Sequence, residues 1–227
     1  MARQSLTNRA LIGTAGLALA LAALIFGPAQ SLAYWQGWIF WFLFTASCLA
    51  MTLHLLRHDP ALVERRMKSG PTAEREPSQK IIQAFTSVLF GAIIVVSALD
   101  RRLGWSAVPV ALVILGDCLV ILGFWIIFLV FRENSFASSI IEVSADQQVV
   151  SSGPYALVRH PMYAGAFGLL VGAPIALGSW WGLAPAALFG GALAWRLLDE
   201  ERYLRRHLAG YEEYQRKVRW RLAPGLW

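Results

Sequence analysis

The sequence predicts an all-α, polytopic membrane protein: a helical bundle of about six membrane segments, with a short C-terminal hairpin and a cytoplasmic interfacial helix. Hydrophobic residues make up 57% of the 227 residues and charged residues only 15%. A soluble protein of this size has too little interior to bury so much apolar side chain. The apolar residues are collected in six runs, and almost all basic residues fall on one side of them. The bilayer is therefore the expected solvent for most of the chain.

Four apolar runs of spanning or near-spanning length form the first part of the chain: residues 10–26, 32–55, 81–99 and 108–131. Arg3 and Arg9 precede the first run, so a cleavable signal peptide is an alternative to a membrane span. We favour a span because so many apolar runs follow. Three tryptophans open the second run, which is typical of rings at a membrane interface. Together the four runs make up a predicted N-terminal transmembrane bundle, residues 1–131.

Few groups within these runs are chemically reactive. Asp117 lies deep in the fourth run, where a carboxyl group is costly, so it should pair with another group or line a wet cavity. His54 and His58 are one helical turn apart, but no third ligand stands nearby, and we predict no metal site. Cys48 and Cys118 lie in apolar runs without metal-ligand spacing and are expected to be buried thiols.

A hairpin of two shorter apolar runs, residues 162–177 and 180–197, is predicted after a polar segment. Within that segment the stretch ENSFASSIIEV, residues 133–143, is expected to lie along the membrane face. The first arm rises about 24 Å, less than a ~30 Å hydrocarbon core. Small residues recur at every fourth position of both arms: Ala164, Gly168 and Gly172, then Gly182, Ala186, Gly190 and Ala194. Because such ridges let helix backbones approach closely, we expect the two arms to pack on each other.

The basic residues fix the orientation of this topology. With both termini in the cytoplasm, every Lys and Arg except Arg101 and Arg102 lies on the cytoplasmic side. This distribution accounts for the net charge of +6 with membrane lipids as partners and no nucleic acid. The interleaved acidic and apolar residues of the tail also argue against RNA. Tyr211, Tyr214 and Trp220 suit a segment that lies on the membrane interface.

The stretch SGPYALVRHPMYAG, residues 152–165, separates the polar segment from the hairpin; we call it the hinge. Pro161 disfavours helical geometry at His160, so Arg159 and His160 should lie in an extended turn next to the membrane. An arginine, an imidazole and two tyrosines, Tyr155 and Tyr163, would suit the rim of a site for a charged ligand. The alternative is a polar loop that caps the next helix and meets lipid headgroups, since Arg and Tyr are ordinary interface anchors.

Three carboxylates, Asp199, Glu200 and Glu201, stand at the end of the second arm. Adjacent helix positions are splayed by about 100°, so the three can serve different partners. Antiparallel arms bring the start of one to the end of the other. Residues 159–163 should therefore meet residues 196–201 at the cytoplasmic surface. The alternative is a solvated charged helix held by i,i+4 pairs.

These motifs carry a family resemblance. The run GPYALVRHPMYAG, then an apolar hairpin, then RLLDEERYLRRHLAGYEEYQRKV, resembles the isoprenylcysteine carboxyl methyltransferase family and the related phospholipid N-methyltransferases. The resemblance covers about residues 134–220 and makes residues 132–227 the expected catalytic region. It implies an integral membrane enzyme with a cytoplasmic pocket for S-adenosyl-L-methionine. It also implies a membrane-facing route for a lipidic or prenylated acceptor.

The resemblance also assigns roles to residues of the hinge and of the second arm. The implied cofactor-binding residues are Tyr155, His160, Pro161, Tyr163, Gly165, Glu200 and Glu201, and the implied catalytic residues are Arg159, Arg196 and Glu201. Carboxylates suit the cations or ribose hydroxyls of the cofactor, and an arginine suits its carboxylate. Gly165 would leave room for the nucleoside.

The implied reaction is direct methyl transfer, with carboxyl O-methylation of an isoprenylcysteine-like or other lipidic acceptor as the first candidate. A carboxylate needs no general base, so alignment and removal of water would carry catalysis. An amine of a phospholipid would require His160 or a glutamate as base. An NADPH-dependent sterol-type membrane reductase and a non-catalytic membrane protein are further alternatives.

Overall fold

The computed structural model describes residues 2–67, 77–138, 140 and 147–227. Within these ranges the chain forms eight α-helices and a short 3-10 helix, and no β-strand. In chain order the α-helices are α1 (Ala2–Ala29), α2 (Trp35–His58), α3 (Pro60–Met67), α4 (Pro77–Leu103), α5 (Val110–Glu133), α6 (Pro161–Ala176), α7 (Leu183–His207) and α8 (Tyr211–Lys217). The predicted all-α membrane bundle is confirmed.

Four of these helices are long and apolar enough to cross a membrane: α1, α2, α4 and α5. They correspond to the first four predicted runs. The hairpin consists of α6, which has only 16 residues, and α7, a 25-residue helix whose second half is charged. Gly178, with φ of 71°, lies in the turn between them. The chain is thus a multi-pass membrane bundle that carries one short helical hairpin.

Polar contacts join three turns at one end of the bundle. Asp100, at the end of α4, is buried, and its Oδ2 accepts hydrogen bonds from Ser106 Oγ at 2.6 Å and Ser179 Oγ at 2.5 Å. The hydroxyl of Tyr34, just before α2, donates to the Leu177 carbonyl at 2.5 Å. These bonds place the α1–α2, α4–α5 and α6–α7 turns together, at the end opposite the hinge.

The other end of the bundle holds both chain termini and the hinge. Ala10, near the start of α1, belongs to the apolar cluster that covers α3. From α3, Arg65 Nη2 donates to the Ser135 carbonyl at 2.6 Å, and Arg66 Nη1 donates to the Ala137 carbonyl at 3.1 Å. The two arginines therefore fix the loop that follows α5, next to the hinge.

The small residues of the hairpin do not pack as expected. A Cβ added to Gly165 would lie 2.7 Å from the Gly123 carbonyl oxygen of α5, and one added to Gly172 would lie 2.8 Å from that of Gly116. No side chain fits at such distances, so α5 and α6 touch backbone to backbone. Gly190 of α7 instead faces an aromatic ring of α6. The two arms contact each other, as predicted, but the small residues of α6 make their close backbone contact with α5 and not with α7.

Three other expectations concern single residues and boundaries. Cys118 is exposed on the surface of α5, so the expectation of a buried thiol is wrong there; Cys48 is half-buried. Asp117 is buried, yet its Oδ1 has no hydrogen-bond partner within the described part of the chain. In the stretch expected along the membrane face, residues 139 and 141–143 lie outside the described residues. The predicted division after residue 131 falls in the last turn of α5 and stays a prediction.

Candidate active site

The hinge has the predicted break in helical structure. A 3-10 helix, Gly153–Ala156, begins with Gly153 at φ of 55°. His160 has φ of −126° and ψ of 61°, and α6 begins at Pro161. Proline suits the first helical position because its missing N–H would have no partner there. Arg159 and His160 are thereby held in a non-helical turn.

The hinge meets the acidic end of α7. Glu201 is fully buried, its Oε1 accepts a hydrogen bond from Arg159 Nε at 2.7 Å, and the same oxygen lies 3.2 Å from His160 Nε2. Its Oε2 accepts from Arg221 Nε at 3.1 Å. Burial alone would raise the pKa of this carboxyl, but the hydrogen bonds and charges of His160 and Arg159 outweigh burial and lower the pKa to about 2. We call Glu201 with Arg159, His160 and Arg221 the Glu201 clamp.

Arg159 also fixes the C-terminal tail beneath the hinge. Its Nη1 donates to the carbonyls of Val218 at 3.0 Å and Arg219 at 2.9 Å. The backbone amides of Arg159 and His160 each donate to a tail carbonyl at 2.9 Å. Since the guanidinium bonds to Glu201 and to two carbonyls at once, Arg159 serves as an anchor between hinge, α7 and tail.

Glu200 points away from the clamp. The Tyr163 hydroxyl donates to Glu200 Oε2, and Glu200 is only half-buried. Arg196, one turn earlier on α7, donates from Nη1 to Gln79 Oε1 of α4 at 3.1 Å. Tyr163, Arg196 and Glu200 all border one cavity.

This cavity lies between the hinge, α7, α8 and the loop after α5. Its aromatic wall consists of Phe136, Tyr155, Tyr163, Tyr211 and Tyr214. The wall is held by hydrogen bonds: the Tyr214 hydroxyl donates to the Tyr155 carbonyl at 2.8 Å, and Asn134 Nδ2 donates to the Tyr155 hydroxyl at 3.0 Å. Charged groups beside aromatic rings suit an organic ligand that carries both charge and a flat ring system.

The structure brings together most of the residues predicted for the site. Seven of them line the cavity: Tyr155, Arg159, His160, Pro161, Tyr163, Arg196 and Glu200. Gly165 does not, because the space left by its missing side chain is filled by the Gly123 carbonyl of α5 instead of a nucleoside. Glu201 does not either, because the clamp encloses it. Gly165 therefore packs α6 against α5, and Glu201 holds the hinge; the cofactor and catalytic roles predicted for these two residues stay predictions.

Several cavity residues, among them Tyr211 and Tyr214, are not among the site residues predicted from the sequence. Both are buried, with only 4% and 5% of their surface exposed and their rings 5.9 Å apart, so they face the protein; the predicted place of this segment on the membrane interface stays a prediction. Their spacing of three residues puts both rings on one face of α8. From this spacing, a position of both tyrosines facing the site could have been predicted.

The part of the chain that contains the hinge and α7 is similar to a known protein family. Residues 111–210 match the family model of phospholipid methyltransferases. The match begins in α5, contains the hinge, α6 and α7 with Glu200 and Glu201, and covers less than half of the chain. No curated protein matches the chain. The match supports membrane methyltransferase activity in general, whereas the narrower carboxyl methyltransferase assignment stays a prediction.

Proposed function

We propose that this protein is an S-adenosyl-L-methionine-dependent methyltransferase that acts on a lipidic acceptor in the membrane. One observation carries the proposal: the hinge and α7 line a common cavity, and both belong to the segment that matches the methyltransferase family model. The apolar helices beside that segment support an acceptor that resides in the bilayer.

The groups around the cavity fit this methyl donor. Glu200 offers a carboxylate for a cationic group or a ribose hydroxyl, and Arg196 offers a cation for the donor's carboxylate. The tyrosine rings can stack on the adenine or attract the sulfonium. When bound, the donor supplies a methyl group activated by the positively charged sulfur.

The chain itself contributes alignment and the exclusion of water. The Glu201 clamp fixes the hinge, and the bond from Tyr163 to Glu200 holds α6 to α7 beside the cavity. A carboxylate acceptor carries its own nucleophilic charge, so it needs orientation, for which Arg196 is placed, and no general base. Carboxyl O-methylation of an isoprenylcysteine-like or other lipidic acceptor is the first candidate reaction.

A phospholipid amine is the second candidate acceptor, and the family match is equally consistent with it. An amine must lose a proton to become a nucleophile. His160 and Glu200, both predicted as possible bases, border the cavity, but His160 Nε2 contacts Glu201 within the clamp, whereas only one carboxylate oxygen of Glu200 accepts the bond from Tyr163. Glu200 is therefore the better-placed base for this reaction.

The orientation in the membrane forms part of the proposal. Both termini and the cavity lie at one end of the bundle, and of the Lys and Arg residues that the structure describes only Arg101 and Arg102 lie at the other end. By the positive-inside rule this end faces the cytoplasm. Residues 132–227 would then form the catalytic region, with membrane lipids around the spans.

Calorimetry on the purified protein in detergent tests the choice of cofactor. We expect S-adenosylhomocysteine to bind and NADPH not to bind. Binding of NADPH alone would replace the proposal with a sterol-type reductase, and binding of neither ligand would support a non-catalytic protein.

Methyl-labelled S-adenosylmethionine then tests the acceptor. The protein is offered a prenylcysteine analogue in one reaction and phosphatidylethanolamine vesicles in another. Label that alkali releases as methanol indicates a carboxyl methyl ester, whereas alkali-stable label on the phospholipid indicates N-methylation. Glu200→Gln serves as the matched loss-of-function variant in both reactions.

A further inference from the structure

The hydroxyl of Tyr211 is a buried polar group for which the described part of the chain supplies no hydrogen-bond partner. Tyr211 is only 4% exposed, and its hydroxyl oxygen makes no hydrogen bond to any residue that the structure describes. Leaving such a group unpaired costs free energy, so buried hydroxyls in folded proteins are normally paired. An unpaired buried hydroxyl therefore needs a specific explanation.

The position of Tyr211 supplies one. It opens α8 directly after Gly210, which has φ of 82°, a left-handed conformation that glycine adopts without strain. This turn directs Tyr211 into the wall of the cavity. Burial, and then the charges of Glu201 and Glu200, raise the pKa of the Tyr211 phenol. The hydroxyl therefore stays protonated, close to the carboxylates of the site, and remains able to donate a hydrogen bond.

The hydroxyl groups of the other tyrosines in the cavity wall make structural hydrogen bonds. Tyr214 donates to the Tyr155 carbonyl at 2.8 Å, Tyr155 accepts from Asn134, and Tyr163 donates to Glu200. Each of these hydroxyls joins two parts of the protein. Tyr211 differs, because its ring packs beside Tyr214 while its hydroxyl joins nothing among the described residues.

We propose that the Tyr211 hydroxyl forms a hydrogen bond to the bound methyl donor and thereby sets donor affinity. This inference rests on the proposed function and adds to it a ligand-binding residue that lies just beyond the segment matched by the family model. Ligand binding supplies the missing partner, so the cost of the unpaired hydroxyl in the free protein is relieved in the complex.

The test compares three tyrosine-to-phenylalanine variants, each of which removes one hydroxyl and keeps the ring. Affinity for S-adenosylhomocysteine is measured by calorimetry, and the melting temperature is measured without ligand. For Tyr211→Phe we expect the dissociation constant to rise about fivefold to tenfold. Its melting temperature should not fall, because no hydrogen bond to a residue that the structure describes is lost.

Two variants serve as controls. Tyr214→Phe breaks the bond to the Tyr155 carbonyl and should lower the melting temperature. Tyr203 lies outside the cavity, where its ring stacks on His207, so Tyr203→Phe should bind S-adenosylhomocysteine as the wild type does.

A second ligand, 5′-methylthioadenosine, lacks the amino-acid head and therefore shows which part of the donor the Tyr211 hydroxyl contacts. A loss of its affinity in Tyr211→Phe places the contact on the nucleoside, and unchanged affinity places it on the head.

The outcomes separate this inference from the proposed function. If the wild type does not bind S-adenosylhomocysteine, the proposed function fails. If the wild type binds it and Tyr211→Phe binds it equally well, only the role of Tyr211 is overturned. A Tyr211→Phe variant whose affinity falls together with its melting temperature would likewise overturn the role, because the hydroxyl would then be structural.

Discussion

Glu200 and Glu201 are neighbours in the chain, but their side chains lie in different surroundings. Glu201 is enclosed by Arg159, His160 and Arg221, whereas Glu200 is half-buried and bonds to Tyr163 beside the cavity. The angle of about 100° between successive helix positions produces this division. The sequence was sufficient to predict that adjacent carboxylates serve different partners. It could not say which of the two faces the ligand, because that depends on the rotation of α7 against the hinge.

Paired substitutions at these two positions should separate stability from activity. Glu201→Gln leaves the buried cations without their anion and should lower the unfolding free energy by roughly 3 kcal/mol. Glu200→Gln removes a half-buried carboxylate and should leave the melting temperature almost unchanged while methyl transfer falls more than about tenfold. Thermal melting and labelled-methyl transfer on both variants check this. Equal loss of stability in the two variants would contradict the division of roles.

The clamp should also make stability depend on pH. The pKa of Glu201 is lowered from 4.5 to about 2 in the folded protein. A lowered carboxyl pKa stabilises the fold above the unfolded pKa, and this stabilisation is lost as the pH falls through the folded pKa. At ~1.4 kcal/mol per pKa unit the loss amounts to about 3 kcal/mol.

Glu201→Gln isolates this contribution, since glutamine does not titrate. The difference in unfolding free energy between wild type and Glu201→Gln should shrink as the pH is lowered from about 4.5 towards 2. Chemical unfolding at several pH values measures it. A difference that does not change with pH would show that the Glu201 carboxylate is not the group that the clamp stabilises.

At the scale of the elements, the glycines of α6 pack the predicted catalytic region, residues 132–227, against the predicted N-terminal bundle, residues 1–131. Gly165 and Gly172 lie against backbone carbonyls of α5, whose last turn contains the predicted boundary after residue 131. The spacing of small residues correctly indicated that α6 approaches another helix closely. The helix predicted for this close contact was α7, whereas the structure has α5 there. A ridge of small residues indicates how closely two helices can approach, but not which helix is the partner.

Gly165→Ala distinguishes helix packing from the cofactor role predicted for this residue. The new Cβ would lie 2.7 Å from the Gly123 carbonyl oxygen, so the helices must separate, and we expect a loss of about 1–3 kcal/mol in stability. Gly191→Ala on α7 is the matched control, since its Cβ would meet nothing within 4 Å and alanine favours the helix. Melting temperatures of the two variants measure the effect. A stable Gly165→Ala protein with weakened S-adenosylhomocysteine binding would restore the cofactor role.

At the scale of the whole molecule, composition and charge distribution determined most of the architecture in advance. The four long apolar helices and the short hairpin follow from run length, and the meeting of residues 159–163 with residues 196–201 follows from antiparallel arms. The burial of Tyr211 and Tyr214 could not be predicted from composition or charge distribution. An aromatic residue in a charged tail has the same local pattern whether it lies on lipid or folds back beneath the hinge, and only the tertiary bonds of Arg159 to the tail decide between the two.

The orientation of the bundle gives the last prediction. Ser31 lies at the end that carries the Asp100 contacts, and Lys217 lies near the hinge at the opposite end; both are exposed. In a background where Cys48 and Cys118 are replaced by alanine, Ser31→Cys and Lys217→Cys are each treated with a membrane-impermeant maleimide in intact cells. The basic end should face the cytoplasm, so position 31 should be labelled from outside and position 217 only after permeabilisation. Labelling of position 217 in intact cells would invert the bundle and move the cavity to the outer side. Labelling of both positions in intact cells would contradict their placement at opposite ends of a bundle that spans the membrane.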